Sequence, residues 1–334
     1  MIALLPAKIA ARRRPVAIAT MFVAELAWAL VVATPVHAWV RRAWSAHPYG
    51  DKVLWRSGGR DLLMWLGQED AGMPVTIRTT IVLLVVGAVL MQLPLGALVA
   101  SLAFGREVPA PPAEGEAEAP APLVRSPRMG AAWRIGIGAW LPLAGLLAFS
   151  TVLATIVLSL GGIAASLVEH AVTDSLGDAR AFTVKVAVFA FFAVLTAVLG
   201  VVVDLARAAV VREVGLASTT GASAPAWNAM LRGLRTGFIA SRRNFRRAMG
   251  LWTSRAAVGL ALIALGWVAA TALGGRGGFA LTALFVAHQG VVLGRVGLRA
   301  SWLARALALV APVQDERDEP ATRQTDGAAT PGRT

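Results

Sequence analysis

Long apolar runs alternate along this chain with shorter polar or basic segments. About 20 helical residues, at a rise of about 1.5 Å per residue, cross a hydrocarbon core of roughly 30 Å. Backbone groups in lipid must be hydrogen-bonded within their own segment, so each run of that length is predicted to be a helix. The predicted spans are residues 16–40, 81–104, 137–160, 186–206, 256–273 and 279–298. The pattern therefore predicts an all-α fold, a polytopic membrane bundle of six transmembrane helices.

Three of the runs contain features that affect their length or fate. Pro94 interrupts the second run. The uncharged stretch at residues 135–168 is too long for one straight crossing, so a break is expected at Gly161 and Gly162. The first run follows a basic flank and could alternatively be a cleavable signal peptide, but its length and the central Glu25 favour a retained span.

Two polar stretches lack apolar periodicity. Residues 107–127 are rich in Pro, Ala and Glu and are predicted to form a flexible linker. Residues 312–334 are predicted to form a disordered cytoplasmic tail. The six-span domain accordingly extends over residues 1–311.

A basic segment between spans four and five predicts an amphipathic helix. Ser223 provides an N-cap and Pro225 a first-turn proline. Apolar side chains then recur at helical spacing, at Trp227, Met230, Leu231, Leu234 and Phe238. The arginines of the segment lie largely away from that stripe: Arg232, Arg235, Arg242, Arg243, Arg246 and Arg247. We expect this helix to lie in the plane of the membrane, with its arginines toward anionic headgroups or a protein partner.

Composition supports the membrane assignment and limits the chemistry. The chain is 57% hydrophobic and 15% charged, with a mean hydropathy of +0.64, which exceeds what one soluble core requires. It has no cysteine, which excludes disulfides, thiolate metal sites and thiol catalysis. The formal charge of +13 could suggest nucleic acid, but the basic residues lie beside apolar spans, where topology and anionic lipid account for them. No nucleic-acid partner is expected.

The distribution of basic residues predicts the orientation. Most of the 32 Lys and Arg residues fall on the side of the N-terminus in the six-span arrangement. The positive-inside rule then places both termini in the cytoplasm. The first external loop also carries basic residues, which leaves a five-span or re-entrant arrangement as an alternative.

Several local motifs resemble those of a known family. They lie at residues 22–30 with Pro35, at 47–54, at 204–211 and at 229–235. Together they resemble a family of uncharacterised six-span bacterial inner-membrane proteins with an Asp-x-Ala-Arg motif at the end of the fourth span. Members often have Tyr where this chain has Leu205, and a short turn where this chain has residues 215–224. The resemblance implies an architecture and an inner-membrane location, and it implies no activity.

Polar residues near mid-span are the candidates for chemistry. Glu25 lies in the first span, Gln92 in the second, and His288 with Gln289 in the sixth, at similar predicted depth. They could form a proton- or cation-handling cluster, or simply hydrogen-bond between helices, which is the commoner role. Asp204 and Arg207 are three residues apart and predict an interfacial ion pair, with a gate as the alternative.

Motifs of enzymes and metal sites are missing from the sequence. It has no phosphate-binding Gly-Lys-Ser/Thr loop, no His-Glu-x-x-His and no Gly-x-Ser-x-Gly, and its four histidines are scattered. We therefore expect no cofactor and no enzyme. The expected function is that of a non-enzymatic scaffold or accessory subunit that binds anionic lipid and a membrane or cytoplasmic protein. The alternative is a small transporter, or a proton- or cation-coupled permease, using Glu25, Gln92 and His288.

Overall fold

The computed structural model describes residues 4–6, 14–44, 72–108, 123–125, 127–220, 226–273 and 277–326. In these residues the chain forms eight helices and three short strands. The helices are α1 (Pro15–Trp44), α2 (Gly72–Leu90), α3 (Gln92–Ala103), α4 (Met129–Leu176), α5 (Asp178–Thr220), α6 (Ala226–Arg243), α7 (Phe245–Leu273) and α8 (Phe279–Asp326). The strands are β1 (Leu4–Pro6), β2 (Phe104–Val108) and β3 (Leu123–Arg125).

The predicted membrane bundle is confirmed. Within the described residues, six helical segments are long and apolar enough to cross a membrane: α1, the α2–α3 pair, α4, α5, α7 and α8. The second span is interrupted as predicted, by a turn at Met91. Pro94 lacks an N–H and its ring crowds the carbonyl four residues earlier, which is that of Leu90. The chain is a multi-pass membrane protein.

The helices are longer than their apolar runs. Helix α4 has 48 residues, about 72 Å at about 1.5 Å per residue, and it passes through Gly161 and Gly162 without a break. The expected break is therefore wrong. A Cβ on Gly161 would lie 2.6 Å from Cβ of Phe192, so this glycine allows α4 and α5 to approach closely instead of ending a helix.

The predicted disordered tail is wrong for residues 312–326, which continue α8. Gln314 is 2% exposed. Its amide Nε2 donates to the carbonyl oxygen of Ala209 at 3.1 Å, and its Oε1 accepts from Arg212 at 2.9 Å. These contacts hold α8 against α5 beyond its apolar part. Residues 327–334 lie outside the described residues.

The predicted flexible linker is wrong at both ends, where β2 and β3 pair in an antiparallel sheet with β1 on the other edge of β2. Arg14 joins this sheet to α1, because its Nη2 donates to the carbonyl oxygen of Phe104 at 3.0 Å. Burial lowers the pKa of Arg14 to about 10, so it stays charged at neutral pH. Residues 109–122, and the motif at residues 47–54, lie outside the described part of the chain.

Helix α6 lies along α5 in the opposite direction, not in the membrane plane as predicted. A Cβ on Gly233 would lie 2.3 Å from Cγ2 of Val210, and one on Gly237 would lie 2.6 Å from the backbone nitrogen of Ala206. A contact four residues further along α6 is thus made with a residue four positions earlier in α5, which shows that the two helices are antiparallel. Two glycines four apart let the backbones approach closely, as in membrane helix pairs.

The buried core is concentrated at one end of the bundle. We call this the basic end, where α1 and α4 begin, where α5 ends and where α6 carries its arginines. Side chains buried there come from α3, α4, α5 and α8, and include Leu95, Leu143, Leu205 and Leu303. The opposite halves of the helices expose large apolar side chains such as Phe191 and Trp267. Those surfaces suit lipid, and the core at the basic end fixes the helices relative to one another.

Candidate functional site

Four helices, α4, α5, α7 and α8, surround a cavity of about 750 Å³. We call it the arginine cavity, after the residues that line one end of it: Asp204, Arg207, Arg255, Arg295 and Arg299, with Trp252 and Trp302. The walls carry small residues where the two helix pairs diverge. A Cβ on Gly200 would meet no atom within 4 Å, so the space in front of it is open.

The carboxylate of Asp204 is held at both oxygens. Arg207 Nη1 donates to Oδ1 at 2.8 Å, which is the predicted ion pair, and Trp302 Nε1 donates to Oδ2 at 2.9 Å. The tryptophan belongs to α8, so this group joins α5 to α8. Both charged side chains are mostly shielded from solvent, which makes the contact stronger than an exposed pair.

The other three arginines extend the positive charge across the cavity. Arg255 is positioned by the carbonyl oxygen of Leu251 at 2.7 Å and by Oγ of Ser301 at 3.2 Å, neither of which is charged. Arg295 and Arg299 lie one turn apart on α8. Neither guanidinium has a hydrogen bond or close ion pair within the described part of the chain. Four arginines therefore face one aspartate, and that aspartate already has two donors.

Glu25 lies near these arginines, and it has no hydrogen bond with its predicted partners in the described part of the chain. It is within electrostatic range of Arg295 and Arg299. It also lines a second cavity of about 620 Å³, formed by α1 and the region around Met91, with His37 at the other end.

The structure does not unite the predicted polar cluster. Gln92 Nε2 donates to the carbonyl oxygen of Ala88 in its own segment at 2.9 Å, and His288 Nδ1 lies 2.9 Å from the carbonyl oxygen of Leu284, also within its own helix. Oε1 of Gln289 is buried and has no partner among the described residues. No hydrogen bond joins any two of Glu25, Gln92, His288 and Gln289 in the described residues.

The six arginines of the basic segment divide into two groups. Arg232 pairs with Glu213 and Arg243 with Glu316, each at 2.6 Å. The other four are exposed and make no ion pair with a described residue: Arg235, Arg242, Arg246 and Arg247.

The apolar stripe of α6 is also exposed, because the helix is buried through its small residues. Trp227 is 64% exposed and Phe238 is 60% exposed. Met230 alone of the predicted stripe is fully buried, against Gly145 of α4. Helix α6 therefore presents three faces: small residues to the bundle, large apolar residues beside them, and arginines beyond.

Sequence reasoning missed the arginine cavity. Arg295 lies near the end of the sixth predicted span and Arg299 directly after it, where the positive-inside rule alone accounts for both. Their spacing of four, with Trp302 three residues later, places all three on one side of a helix, and charges inside apolar helices are costly enough to need a reason. The helical spacing of Arg295, Arg299 and Trp302 is therefore the feature of the sequence that could have predicted this site.

No group of three or more potential metal ligands occurs in the described residues. Comparisons with protein-family models, with curated proteins and with solved structures found no match to this chain. Its function therefore has to be inferred from the side chains and their geometry.

Proposed function

We propose that this protein is a non-enzymatic scaffold or accessory subunit of the bacterial inner membrane, with both termini in the cytoplasm. Its basic end binds anionic lipid headgroups and docks a membrane or cytoplasmic protein. The arrangement of faces on α6 carries the proposal. We also propose that it belongs to the six-span family that its motifs resemble.

The lipid part of the proposal follows from exposed aromatic residues, Trp227 and Phe238, on the helix that carries exposed arginines, four of which have no ion-pair partner among the described residues. Aromatic rings favour the headgroup level, and each basic residue near an anionic surface contributes about 1 kcal/mol of attraction. An arginine that is ion-paired within the chain has its charge partly neutralised and attracts an anionic headgroup less strongly. Those of α6 and early α7 are exposed beside an apolar surface, which matches a membrane boundary.

The protein-docking part rests on the rigidity of the same region. Helix α6 packs closely against α5 at Gly233 and Gly237, and Gln314 of α8 hydrogen-bonds to the backbone of α5. A rigid surface that presents arginine and aromatic side chains has the composition of binding hot spots. The absence of enzyme motifs favours docking over catalysis here.

The test is to neutralise the four unpaired arginines, Arg235, Arg242, Arg246 and Arg247, as glutamines. The protein would be purified from vesicles of phosphatidylcholine and phosphatidylglycerol, and the retained lipids counted by mass spectrometry. We expect the variant to retain several fewer phosphatidylglycerol molecules. In intact membranes, site-directed crosslinking from Asn228 should capture the same protein partner repeatedly in the parent chain and lose it in the variant.

The matched control removes the same charge elsewhere, at Arg41, Arg42, Arg78 and Arg180, which are exposed toward the opposite end. Equal lipid loss in both variants would contradict a lipid-binding role for the basic end. Undiminished crosslinking in the α6 variant would contradict docking there.

A small transporter is the second candidate, because a cavity reaches Glu25 and two arginines lie within electrostatic range of it. Glu25→Gln would then abolish proton or cation flux into vesicles that contain the purified protein. Unchanged flux with a lower unfolding temperature would assign Glu25 to packing and remove this candidate.

A further inference from the structure

The arginine cavity is divided into a cationic end and a less polar end. Towards the basic end it is lined by Arg255, Arg295 and Arg299. Away from them, the walls are mostly aliphatic, with four hydroxyl side chains among them, and two of these hydroxyls donate within their own helices. The Thr196 hydroxyl donates to the carbonyl oxygen of Phe192 and the Ser150 hydroxyl to that of Leu147. These walls offer few free donors to a ligand and suit a hydrocarbon chain.

The cavity opens sideways between α4 and α7. Leu260 and Ile263 line it and are nevertheless 67% and 46% exposed, and Thr151 and Thr155 on the facing helix are exposed as well. These four residues lie within segments long and apolar enough to span a membrane. The opening therefore faces lipid acyl chains, and an amphiphile can enter it from the bilayer.

The net positive charge of the side chains that line the cavity favours binding of an anion. Four arginines and one aspartate line it, and Asp204 is engaged by Arg207 and Trp302. Glu25 lies within electrostatic range but is not among the lining residues, and its single charge does not balance Arg295 and Arg299. Arg207, Arg255 and Arg299 are half-buried and Arg295 is exposed. Like charges grouped in one cavity repel one another, so they are stabilised by a partner that brings negative charge and several acceptor oxygens.

We propose that the arginine cavity is a binding site for one anionic phospholipid, with its phosphate between Arg255, Arg295 and Arg299 and an acyl chain along the wall at Gly200. A guanidinium donates two parallel hydrogen bonds to phosphate oxygens, which makes arginine suited to this group. The two cavity tryptophans, Trp252 and Trp302, lie at the same end, where indole rings commonly meet headgroups. The lipid would bridge the α4–α5 pair and the α7–α8 pair.

This site is separate from the basic surface of α6, so it goes beyond the proposed function. The cavity site and the α6 surface use different arginines, so an experiment can contradict one proposal and leave the other standing. A surface lipid exchanges readily, whereas a lipid enclosed between helix pairs should survive detergent extraction as a single tightly bound molecule.

The experiment titrates the detergent-solubilised full chain with phosphatidylglycerol and counts bound molecules by native mass spectrometry. Arg295→Gln with Arg299→Gln should weaken the tightest binding event by roughly tenfold or more, the loss expected for charge-assisted hydrogen bonds. Arg242→Gln with Arg246→Gln removes the same charge from the α6 surface and should leave that event unchanged. Phosphatidylcholine should not replace phosphatidylglycerol in the parent chain.

A second variant tests the site without touching its charges. Gly200→Leu places a side chain in open space, so it should fill the cavity and abolish the tight event while the helices stay packed. Gly290→Leu is the matched control, because a Cβ there also meets no atom within 4 Å and Gly290 does not line the cavity. This pair remains informative if the double arginine variant does not fold.

Three results would overturn the proposal. Tight binding that survives Gly200→Leu would place the lipid elsewhere. Equal weakening by the cavity and α6 arginine pairs would show that only net charge matters. Competition by millimolar inorganic phosphate, with no preference for phosphatidylglycerol, would identify a site for a free anion instead.

Discussion

Gly233 and Gly237 illustrate how single residues determine the position of α6. Each lacks the atom that would otherwise separate α6 from α5, and the nearest α5 atoms belong to Val210 and Ala206. The close approach lets the small face of α6 bury itself while Trp227 and Phe238 stay exposed. The orientation of the basic surface therefore depends on glycine at positions 233 and 237, where any side chain would push α6 away from α5.

Gly237→Val should destabilise the protein by about 2 kcal/mol, the usual cost of overpacking, because its Cβ would meet backbone atoms that cannot give way. Thermal unfolding in detergent measures this. Gly250→Val makes the same exchange where no atom lies within 4 Å, and should change stability little. An equal loss in both variants would mean that helix propensity, not the α5–α6 contact, is responsible.

At this scale the sequence predicts local contacts and misses distant ones. Asp204 and Arg207 are neighbours on any helix, so their ion pair follows from spacing alone. Trp302 reaches the same carboxylate from 98 residues away, through packing that no local pattern encodes. Glu25 is recognisable from the sequence as an acidic residue inside a predicted span, but its neighbours Arg295 and Arg299 depend on how α1 and α8 meet.

Helix α8 shows the same limit for whole elements. Hydropathy locates the apolar part of a helix but not its ends, because a helix outside lipid can continue wherever a neighbour buries one side of it. The predicted tail begins at residue 312, yet Gln314 is buried on the same face of α8 as Ala306 and Val310. The six spans were predictable for this reason, and the lengths of α4, α5 and α8 were not.

Arg212→Met should release the end of α8. Arg212 is buried, and it donates to Gln314 at 2.9 Å and to Asp315 at 2.6 Å, contacts worth roughly 2 kcal/mol in total. Limited trypsin digestion should then cut after Arg317 several times faster. Arg243→Met removes only the exposed pair with Glu316 and should leave the rate nearly unchanged. Identical rates for the parent chain and Arg212→Met would show that other contacts hold this part of α8.

At the scale of the whole molecule, the arginine cavity, the exposed arginines of α6 and the buried core lie together at the basic end. The chain has no cysteine, so one introduced thiol reports on one position. Gly277→Cys at the opposite end should react with a membrane-impermeant maleimide on intact cells. Gly130→Cys, near the start of α4, should react only after the membrane is opened, and an added Cβ meets no atom within 4 Å at either position. The reverse pattern would contradict the proposed orientation.

The concentration of buried side chains at the basic end also determines how the molecule responds to its bilayer. The interlocked helices at the basic end resist deformation, whereas the opposite halves of α2, α5 and α7 expose apolar side chains and share few buried contacts. A thicker or thinner membrane should therefore change the tilt of the outer helix segments and leave the inner ones in register. The loosely packed half of the bundle should adapt its helix tilt to the bilayer, and the tightly packed half should not. A molecule bound between the helix pairs would lie at the boundary between these two halves.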